Sequence, residues 1–149
     1  RRQAVALSEL KVSGQSIAPK FERSMVSLVG DVRFELLKVP DILKTGRDYR
    51  LQLYITDPAG NVINLETVMG AKGHMVAFDS SGTGFAHMHP IESVASVRKA
   101  GLGRSGALDS NDTDLSFMFN VPYPGWYRLF AQIQIKGEAV FGRFDLKVE

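Results

Sequence analysis

The sequence predicts an all-β protein built as an antiparallel sandwich of about seven short strands. Three observations lead to this fold class. Nearly every clear periodic segment alternates apolar and polar residues with the two-residue repeat of a half-buried strand. These segments are short and are separated by turns rich in glycine, proline, asparagine and aspartate. The chain has 149 residues, 44% of them hydrophobic, which is enough to bury the core of one domain.

The first residues precede the clear strand pattern. We expect residues 1–24 to form an N-terminal extension and residues 25–149 to form the sandwich domain. Within the extension, residues 1–12 carry the pattern of a short helix, and residues 13–24 have the composition of a linker or a strap across a sheet edge. The apolar side of the expected helix consists of Val5, Leu7 and Leu10.

The strands of the domain follow from their alternation. Residues 49–55 are apolar at the odd positions and run into Asp57-Pro58-Ala59-Gly60-Asn61, where proline presets a turn that glycine completes. Near the C-terminus, two amphipathic segments predict a hairpin that reverses at Lys136-Gly137-Glu138. Residues 91–113 form a long connection, a kind of segment that is often functional. Further strands are expected around residues 26–38, 73–79, 84–89 and 114–121.

Composition excludes several functions. The 18 basic and 16 acidic residues are interspersed and leave a formal charge of +2, so no basic stripe is available to hold a nucleic acid. No apolar run approaches the roughly 20 residues of a membrane-spanning helix, so no membrane insertion is expected in this segment. The absence of cysteine excludes disulfides and thiolate metal sites. Because the chain opens with Arg1-Arg2, we expect a mature or trimmed product.

The segment from Pro122 to Leu129 indicates an immunoglobulin-like (Ig-like) sandwich. It places a turn before a strand and sets Tyr127 two residues past Gly125, as at the tyrosine corner of such folds, where the phenol bonds back to loop backbone. Tyr127 is therefore expected to be structural. Trp126 should point to the opposite face, either packed under a loop or exposed as a binding platform. Packing is favoured because large aromatic side chains are mostly buried.

All three histidines of the chain lie within sixteen residues. His74, His87 and His89 are accompanied by Met75 and Met88. Imidazole is the commonest transition-metal ligand and thioether sulfur is a soft one, so this hairpin is a candidate copper or zinc site. All five residues are candidate ligands. We call the three histidines the histidine cluster.

The register of the predicted hairpin decides which ligands meet. Side chains alternate along a strand, so His87 and His89 share a face and Met88 takes the other. An even loop, for example Ser80 to Thr83, sets His74 opposite His89, and three imidazoles converge as in many zinc and copper sites. An odd loop sets His74 with Met88 instead, a softer pair that suits Cu(I). The sequence leaves both registers open.

A structural interpretation competes with metal binding and is the more common outcome for such residues. Imidazole N–H groups at strand ends can satisfy backbone carbonyls, and methionines can fill a core. The function would then lie in a sheet edge or face near Trp126 that binds a protein partner. A metal-dependent enzyme ranks last, because only Asp79 and Glu92 lie near the histidines in sequence.

From about Leu36 onward the order of motifs resembles the YtkA-like family of small bacterial β-sandwich domains, similar in style to cupredoxin-like and FixH-like extracytoplasmic domains. The resemblance implies an Ig-like sandwich that is periplasmic or secreted, with no enzymatic activity firmly attached. Such domains are sometimes joined to, or encoded near, copper-handling and membrane proteins. Residues 91–113 depart from the family and have the character of an insertion. The matching motifs are Lys44-Thr45-Gly46, Asp57 to Asn61, Leu65 through Val76, Phe85 through Pro90, Pro124 through Leu129, Lys136-Gly137 and Phe141 to Val148.

Together these observations predict a non-catalytic extracytoplasmic β-sandwich module that binds copper or zinc through the histidine cluster. The alternative is a structural or protein-interaction domain in which the histidines only fix the hairpin.

Overall fold

The computed structural model describes residues 19–67, 70–88, 91 and 114–149. Within these residues the chain forms eight β-strands and no helix, which confirms the predicted all-β class. The strands are β1 (Val26–Val29), β2 (Val32–Leu37), β3 (Tyr49–Thr56), β4 (His74–Asp79), β5 (Phe85–Met88), β6 (Asp114–Phe119), β7 (Gly125–Ile135) and β8 (Glu138–Val148).

The strands form two antiparallel sheets. The first has the order β1-β2-β3-β6 and the second the order β5-β4-β7-β8. The chain passes between the sheets after β3, β5 and β6, so the predicted antiparallel sandwich is confirmed. Each predicted strand region contains a strand, but residues 26–38 hold two. A turn at Gly30-Asp31 divides them into β1 and β2, and Gly30 there has a φ of 56°.

The core lies between the two sheets and follows the alternation read from the sequence. Leu51, Leu53 and Ile55 of β3 point inward from the first sheet, and Leu129 and Ile133 of β7 point inward from the second. All five are almost fully buried, as alternate positions of two facing sheets should be.

Gly142 of β8 leaves room for a core side chain of the first sheet. A Cβ atom added there would lie 2.5 Å from Cγ of Phe34, a β2 side chain that is completely buried. Glycine therefore lets the phenylalanine ring lie directly against the β8 backbone.

The β7–β8 hairpin is the longest pairing in the described sheets. It runs from Gly125 paired with Val148 to Ile135 paired with Glu138. Lys136 and Gly137 alone form the turn, with φ of 50° and 78°, the positive values of a type I′ hairpin. The predicted C-terminal hairpin is thus confirmed, and Glu138 belongs to its second strand.

Two predicted segments lie outside the described residues. These are the short helix over residues 1–12 and most of the 91–113 connection. At the start of that connection, the amide of Ile91 donates a hydrogen bond to the carbonyl of Ser116 in β6.

Candidate functional site

The β4–β5 hairpin, which carries the predicted metal ligands, has the even register. Met75 pairs with Met88, Val76 with His87, and Phe78 with Phe85. The loop of residues 80–83 therefore has the even length named in the first of the two alternatives. The odd register, which would have brought His74 to Met88, is not the one that forms.

The two methionines belong to the core. Met75 is completely buried and Met88 is 7% exposed, and both belong to the hydrophobic cluster between the sheets. His74 is the neighbour of Met75 on β4, so its side chain lies on the other face of that strand. The structure therefore does not bring Met75 and His74 to one site: the predicted ligands on β4 are divided between the two faces.

His74 is nevertheless well shielded, with 4% of its surface exposed. It begins β4 and pairs with Gln132 of β7. The preceding Gly73 lets the start of β4 lie close to β7 and to Leu115. A Cβ atom at Gly73 would lie 2.7 Å from Cδ1 of Leu115 and 3.3 Å from the Gln132 carbonyl oxygen. The Gly-His motif thus fixes where β4 starts against β7.

Of the remaining two histidines, the structure describes only the backbone of His87. His87 takes the register position opposite Val76 in β5. His89 lies outside the described residues. Among the residues that are described, no three histidine, aspartate or glutamate side chains gather as a metal site. Metal binding therefore stays a prediction.

Asp79, which lies near the histidines in sequence, stabilises the β4–β5 turn. Its Oδ1 accepts hydrogen bonds from the Ser81 hydroxyl at 2.7 Å and from the Thr83 amide at 3.1 Å. The Ser81 hydroxyl and the backbone of Gly84 hold the pKa of the Asp79 carboxyl below its ordinary value of 3.8. Asp79 is the last residue of β4, next to the turn, whereas His74 is the first. Asp79 therefore does not orient the His74 imidazole.

The tyrosine corner is present as predicted. The hydroxyl of Tyr127 donates a hydrogen bond of 2.7 Å to the carbonyl oxygen of Tyr123. The Tyr127 ring meets Phe119 edge-on at a centroid distance of 6.0 Å. Burial, followed by the negative charge of Asp79, raises the pKa of Tyr127 above 10.0, so the phenol stays protonated and keeps donating. The predicted structural role of Tyr127 is confirmed.

The outer face of the second sheet carries an aromatic surface that sequence reasoning did not identify. Phe78 of β4 and Phe130 of β7 contact edge-to-face, with centroids 6.1 Å apart. Phe141 of β8 lies diagonally beyond Phe130, two residues from its partner Arg143. Phe78 is 38% exposed and Phe141 is 51% exposed. We call these three phenylalanines the aromatic face. Its sequence signal is phenylalanine at strand positions where alternation predicts polar residues.

A strap formed by residues 19–24 crosses the same outer face, whereas the sequence predicted a linker or a strap across a sheet edge for residues 13–24. Phe21 stacks on Trp126 with ring centroids 6.1 Å apart, so Trp126 is packed under the strap. The guanidinium of Arg128 lies 4.5 Å from the centre of the Phe21 ring. The same guanidinium donates a hydrogen bond of 2.8 Å to the carbonyl of Lys20.

An ion pair beneath the strap holds it in place. Arg128 Nε and Nη2 donate to the two carboxylate oxygens of Asp145 at 2.8 and 3.0 Å, a bidentate arrangement. The amide of Glu22 donates to the Asp145 carboxylate, and the amide of Ser24 donates to the Asp145 carbonyl. Asp145 is therefore buried although it lies on an outward position of β8.

The charge state of Asp145 follows from these contacts. Burial raises its pKa, but the hydrogen bonds from Arg128 and from the Glu22 amide outweigh burial, with further help from the charges of Arg128 and Arg143. The net effect is a pKa below the ordinary value of 3.8. The carboxylate is thus charged and paired at neutral pH.

This geometry defines the protein as a β-sandwich with a strapped outer face. Residues 27–149 match the family described as a domain of unknown function (DUF8832), and the chain belongs to that family. The YtkA-like resemblance is not among these findings and stays a prediction.

The crystal structure of a "putative lipoprotein" from Bacillus anthracis is similar, with a TM-score of 0.48, 13% identity and coverage of 87% of both chains. No curated protein matches the chain significantly. In the described part of the chain, no helix is long and apolar enough to span a membrane.

Proposed function

We propose that this domain is a non-catalytic binding module that works outside the cytoplasm and binds Cu(II) or Zn(II) through His74, His87 and His89. The even register of the β4–β5 hairpin carries this proposal. Met75 pairs with Met88, and Val76 with His87. If this register continues by one pair, His74 stands opposite His89, and in the proposed site the three imidazoles share one side of two neighbouring strands.

The chemistry of the proposed site differs from the mixed ligand set of the sequence prediction. Met75 and Met88 face the core, so the donors are nitrogen atoms alone. Imidazole ligands suit Cu(II) and Zn(II), whereas Cu(I) prefers soft sulfur. Three protein ligands also leave a coordination position for water or for a group of a partner. An all-nitrogen site therefore favours the divalent ions.

The compartment is part of the same proposal. It rests on the motifs that resemble those of YtkA-like domains, a resemblance that implies export.

Calorimetric titration of the chelator-stripped chain with Cu(II), Zn(II) and Ag(I) tests the site. We expect binding of a divalent ion at micromolar concentration and its loss in the His87→Ala/His89→Ala double variant. Met88→Leu is the matched control, because it alters the same strand on its core face and should leave binding unchanged. An absence of binding, or binding that survives the double substitution, rejects the proposal. Binding of Ag(I) that depends on Met88 also contradicts it.

A second candidate function is protein recognition through the aromatic face. The observation that favours it is the exposure of Phe78 and Phe141 beside the strap that covers Trp126. Exposed aromatic side chains on a sheet are typical of interaction surfaces. This candidate predicts that Phe78→Ser/Phe141→Ser abolishes binding of a partner protein, whereas His87→Ala/His89→Ala retains it. The opposite pattern assigns partner binding to the histidine cluster.

A further inference from the structure

Strand β1 presents a free edge at the side of the first sheet. It pairs with β2 alone. The amide of Leu36 donates to the carbonyl of Met25, directly before β1, so these two residues form a hydrogen-bonded pair of the ladder. Bonded pairs alternate with non-bonded ones along an antiparallel ladder. The register therefore turns the backbone amides and carbonyls of Val26 and Leu28 away from β2.

The edge of β8, which lies next to β1, is covered by contrast. The amide of Arg143 donates to the Ser27 hydroxyl, and the carbonyl of Asp145 accepts a hydrogen bond from the Ser24 amide. For the outward amide and carbonyl of Leu28, the described part of the chain provides no hydrogen-bond partner. The edge of β1 is therefore open to a further strand.

The side chains of β1 do not protect this edge. Edge strands are commonly guarded by a charged residue, a proline or a bulge, which hinders the addition of another strand. Strand β1 has the sequence Val-Ser-Leu-Val and a regular register, so it has none of these. Leu28 is 66% exposed and Val26 is 39% exposed. An exposed apolar edge of this kind is a template for strand addition.

A groove of about 650 Å³ follows this edge and has an excess of positive charge. One of its sides is β1, and the other is formed by the strap and β8. The basic residues that line it are Lys20, Arg23 and Arg143. Of its acidic residues, Glu22 and Asp145, the latter is already paired with Arg128. Arg23 lies 3.9 Å from Asp41, but this pair is exposed and therefore weak. The groove thus favours a ligand that carries carboxylates.

We propose that β1 is a strand-addition site for an extended, acidic segment of a partner protein. The segment pairs through its backbone with Leu28, and its apolar side chains lie beside Leu28 and Val26. Its acidic side chains meet the basic residues of the groove. In strand addition the main chain provides affinity, and alternate side chains provide specificity. This inference is independent of the metal site and uses a surface other than the aromatic face.

A second copy of the chain is a poorer occupant of this edge. Pairing of β1 with the β1 strand of another molecule would bring two grooves together, each with an excess of positive charge. Like charges across an interface disfavour association. Strand β1 has no acidic residue that would offset them. The charge of the groove therefore favours a partner whose own strand carries carboxylates.

Peptides selected against the full-length chain test the proposal. The probe is a displayed library of short linear peptides with random sequences. We expect the peptides that bind to alternate apolar residues with aspartate or glutamate. A selection that yields no binding peptide, or yields peptides without acidic residues, overturns the proposal.

Methylation of single backbone nitrogens in a selected peptide distinguishes strand addition from binding through side chains alone. Along an added strand, every second amide faces the neighbouring strand and the others face away. We expect methylation to weaken binding about tenfold at alternate positions and to have little effect between them. Equal effects at all positions, or no effect at any, overturn the proposal.

A proline substitution tests β1 itself. Leu28→Pro removes the outward amide without breaking a hydrogen bond to β2, because position 28 is a non-bonded position of the ladder. We expect it to abolish peptide binding, whereas Leu28→Val, which retains the amide, preserves it. Circular dichroism establishes that the variant is folded. A folded Leu28→Pro variant that binds normally overturns the proposal, and the methylated peptides decide the question if it does not fold.

The charge of the groove has its own matched pair of variants. Arg143→Gln should weaken peptide binding about twofold to fivefold, the range of an exposed charge pair. Lys147→Gln removes the same charge from the same strand outside the groove and should leave binding unchanged. Equal losses in both variants show a general attraction and overturn the proposed contact.

The remaining outcomes concern other surfaces and other occupants. His87→Ala/His89→Ala and Phe78→Ser/Phe141→Ser should both retain peptide binding. Loss of binding in the second of these variants assigns the peptide to the aromatic face and overturns the proposal. Sedimentation of the chain without peptide should show a monomer. A dimer that Leu28→Pro abolishes shows that a second copy occupies β1, which also overturns it.

Discussion

At the scale of single residues, close packing explains an unusual choice in the last strand. Gly142 lies at an inward position of β8, where its neighbours on the same face are large and apolar. Glycine normally weakens a strand, because it brings no side chain to pack. Here the space is filled by the Phe34 ring from the opposite sheet. The absent Cβ is therefore what allows the two sheets to approach at this point.

This contact predicts the effect of Gly142→Ala. The added methyl would overlap Phe34, which cannot move because it is fully buried. We expect the free energy of unfolding to fall by about 1–3 kcal/mol, as measured by urea denaturation.

A double-mutant cycle identifies the cause. In a Phe34→Leu background the smaller side chain should reduce the cost of Gly142→Ala. An equal cost in both backgrounds would show that the loss has another origin.

At the scale of structural elements, the β7–β8 turn carries a correctable strain. Lys136 has a φ of 50°, a left-handed conformation that asparagine adopts more readily than lysine. We expect Lys136→Asn to raise the free energy of unfolding by up to about 1 kcal/mol, because Asn-Gly is a preferred type I′ pair. Thermal and urea unfolding measure the change. Gly137→Ala should have the opposite sign, since its φ is 78°. If Lys136→Asn lowers the free energy of unfolding, the contacts of the lysine side chain stabilise the fold by more than its left-handed backbone destabilises it.

The strap is the second element whose energetics can be tested. In Asp145→Asn, the Arg128 guanidinium loses its charged partner beneath the strap, and the Glu22 amide loses a charged acceptor. We expect a loss of about 3 kcal/mol in the free energy of unfolding, typical of a broken buried pair. Glu35→Gln is the matched control. It breaks the more exposed pair with Arg33 and should cost less than about 1 kcal/mol. Similar losses in both variants would contradict a special role for the buried pair.

The same pair predicts a dependence on pH. The pKa of Asp145 is lower in the folded protein than its ordinary value of 3.8, so its charged form stabilises the fold above that pH. This contribution should disappear as the pH falls below about 4 and through the folded pKa. The difference in unfolding free energy between the wild-type chain and Asp145→Asn should therefore shrink between pH 6 and pH 3. A constant difference over this range would show that Asp145 titrates alike in both states.

At the scale of the whole molecule, one core joins the two sheets. The inward residues of β3 and β7 belong to a single buried cluster, so neither sheet can lose its packing alone. Leu53→Ala, in the first sheet, should cost about 2–5 kcal/mol. Trp126 is the only tryptophan and lies in the second sheet. Its fluorescence and the far-ultraviolet circular dichroism should report the same lowered urea midpoint. Separate midpoints would show that the sheets unfold independently.

The arrangement of the candidate metal ligands could be predicted only in part, and the reason is physical. The alternation of side chains along a strand predicted that Met88 and the neighbouring histidines take opposite faces. This prediction needed only the sequence of that strand. Whether the hairpin took the even or the odd register depended on the loop length, which the pairing of β4 with β5 decided. The aromatic face was missed because Phe78 comes from β4, which becomes the neighbour of β7 only in the folded sheet.

The amino-acid order by itself determined the all-β class, the C-terminal hairpin and the tyrosine corner. Each depends on residues that are close in the chain: an alternating run, a turn pair such as Lys136-Gly137, or the step from Tyr123 to Tyr127. Only the tertiary structure decided that β4 lies beside β7 and that the strap closes over Asp145. Those arrangements bring together residues 48 or more positions apart, and burial between whole sheets, not local preference, selects them.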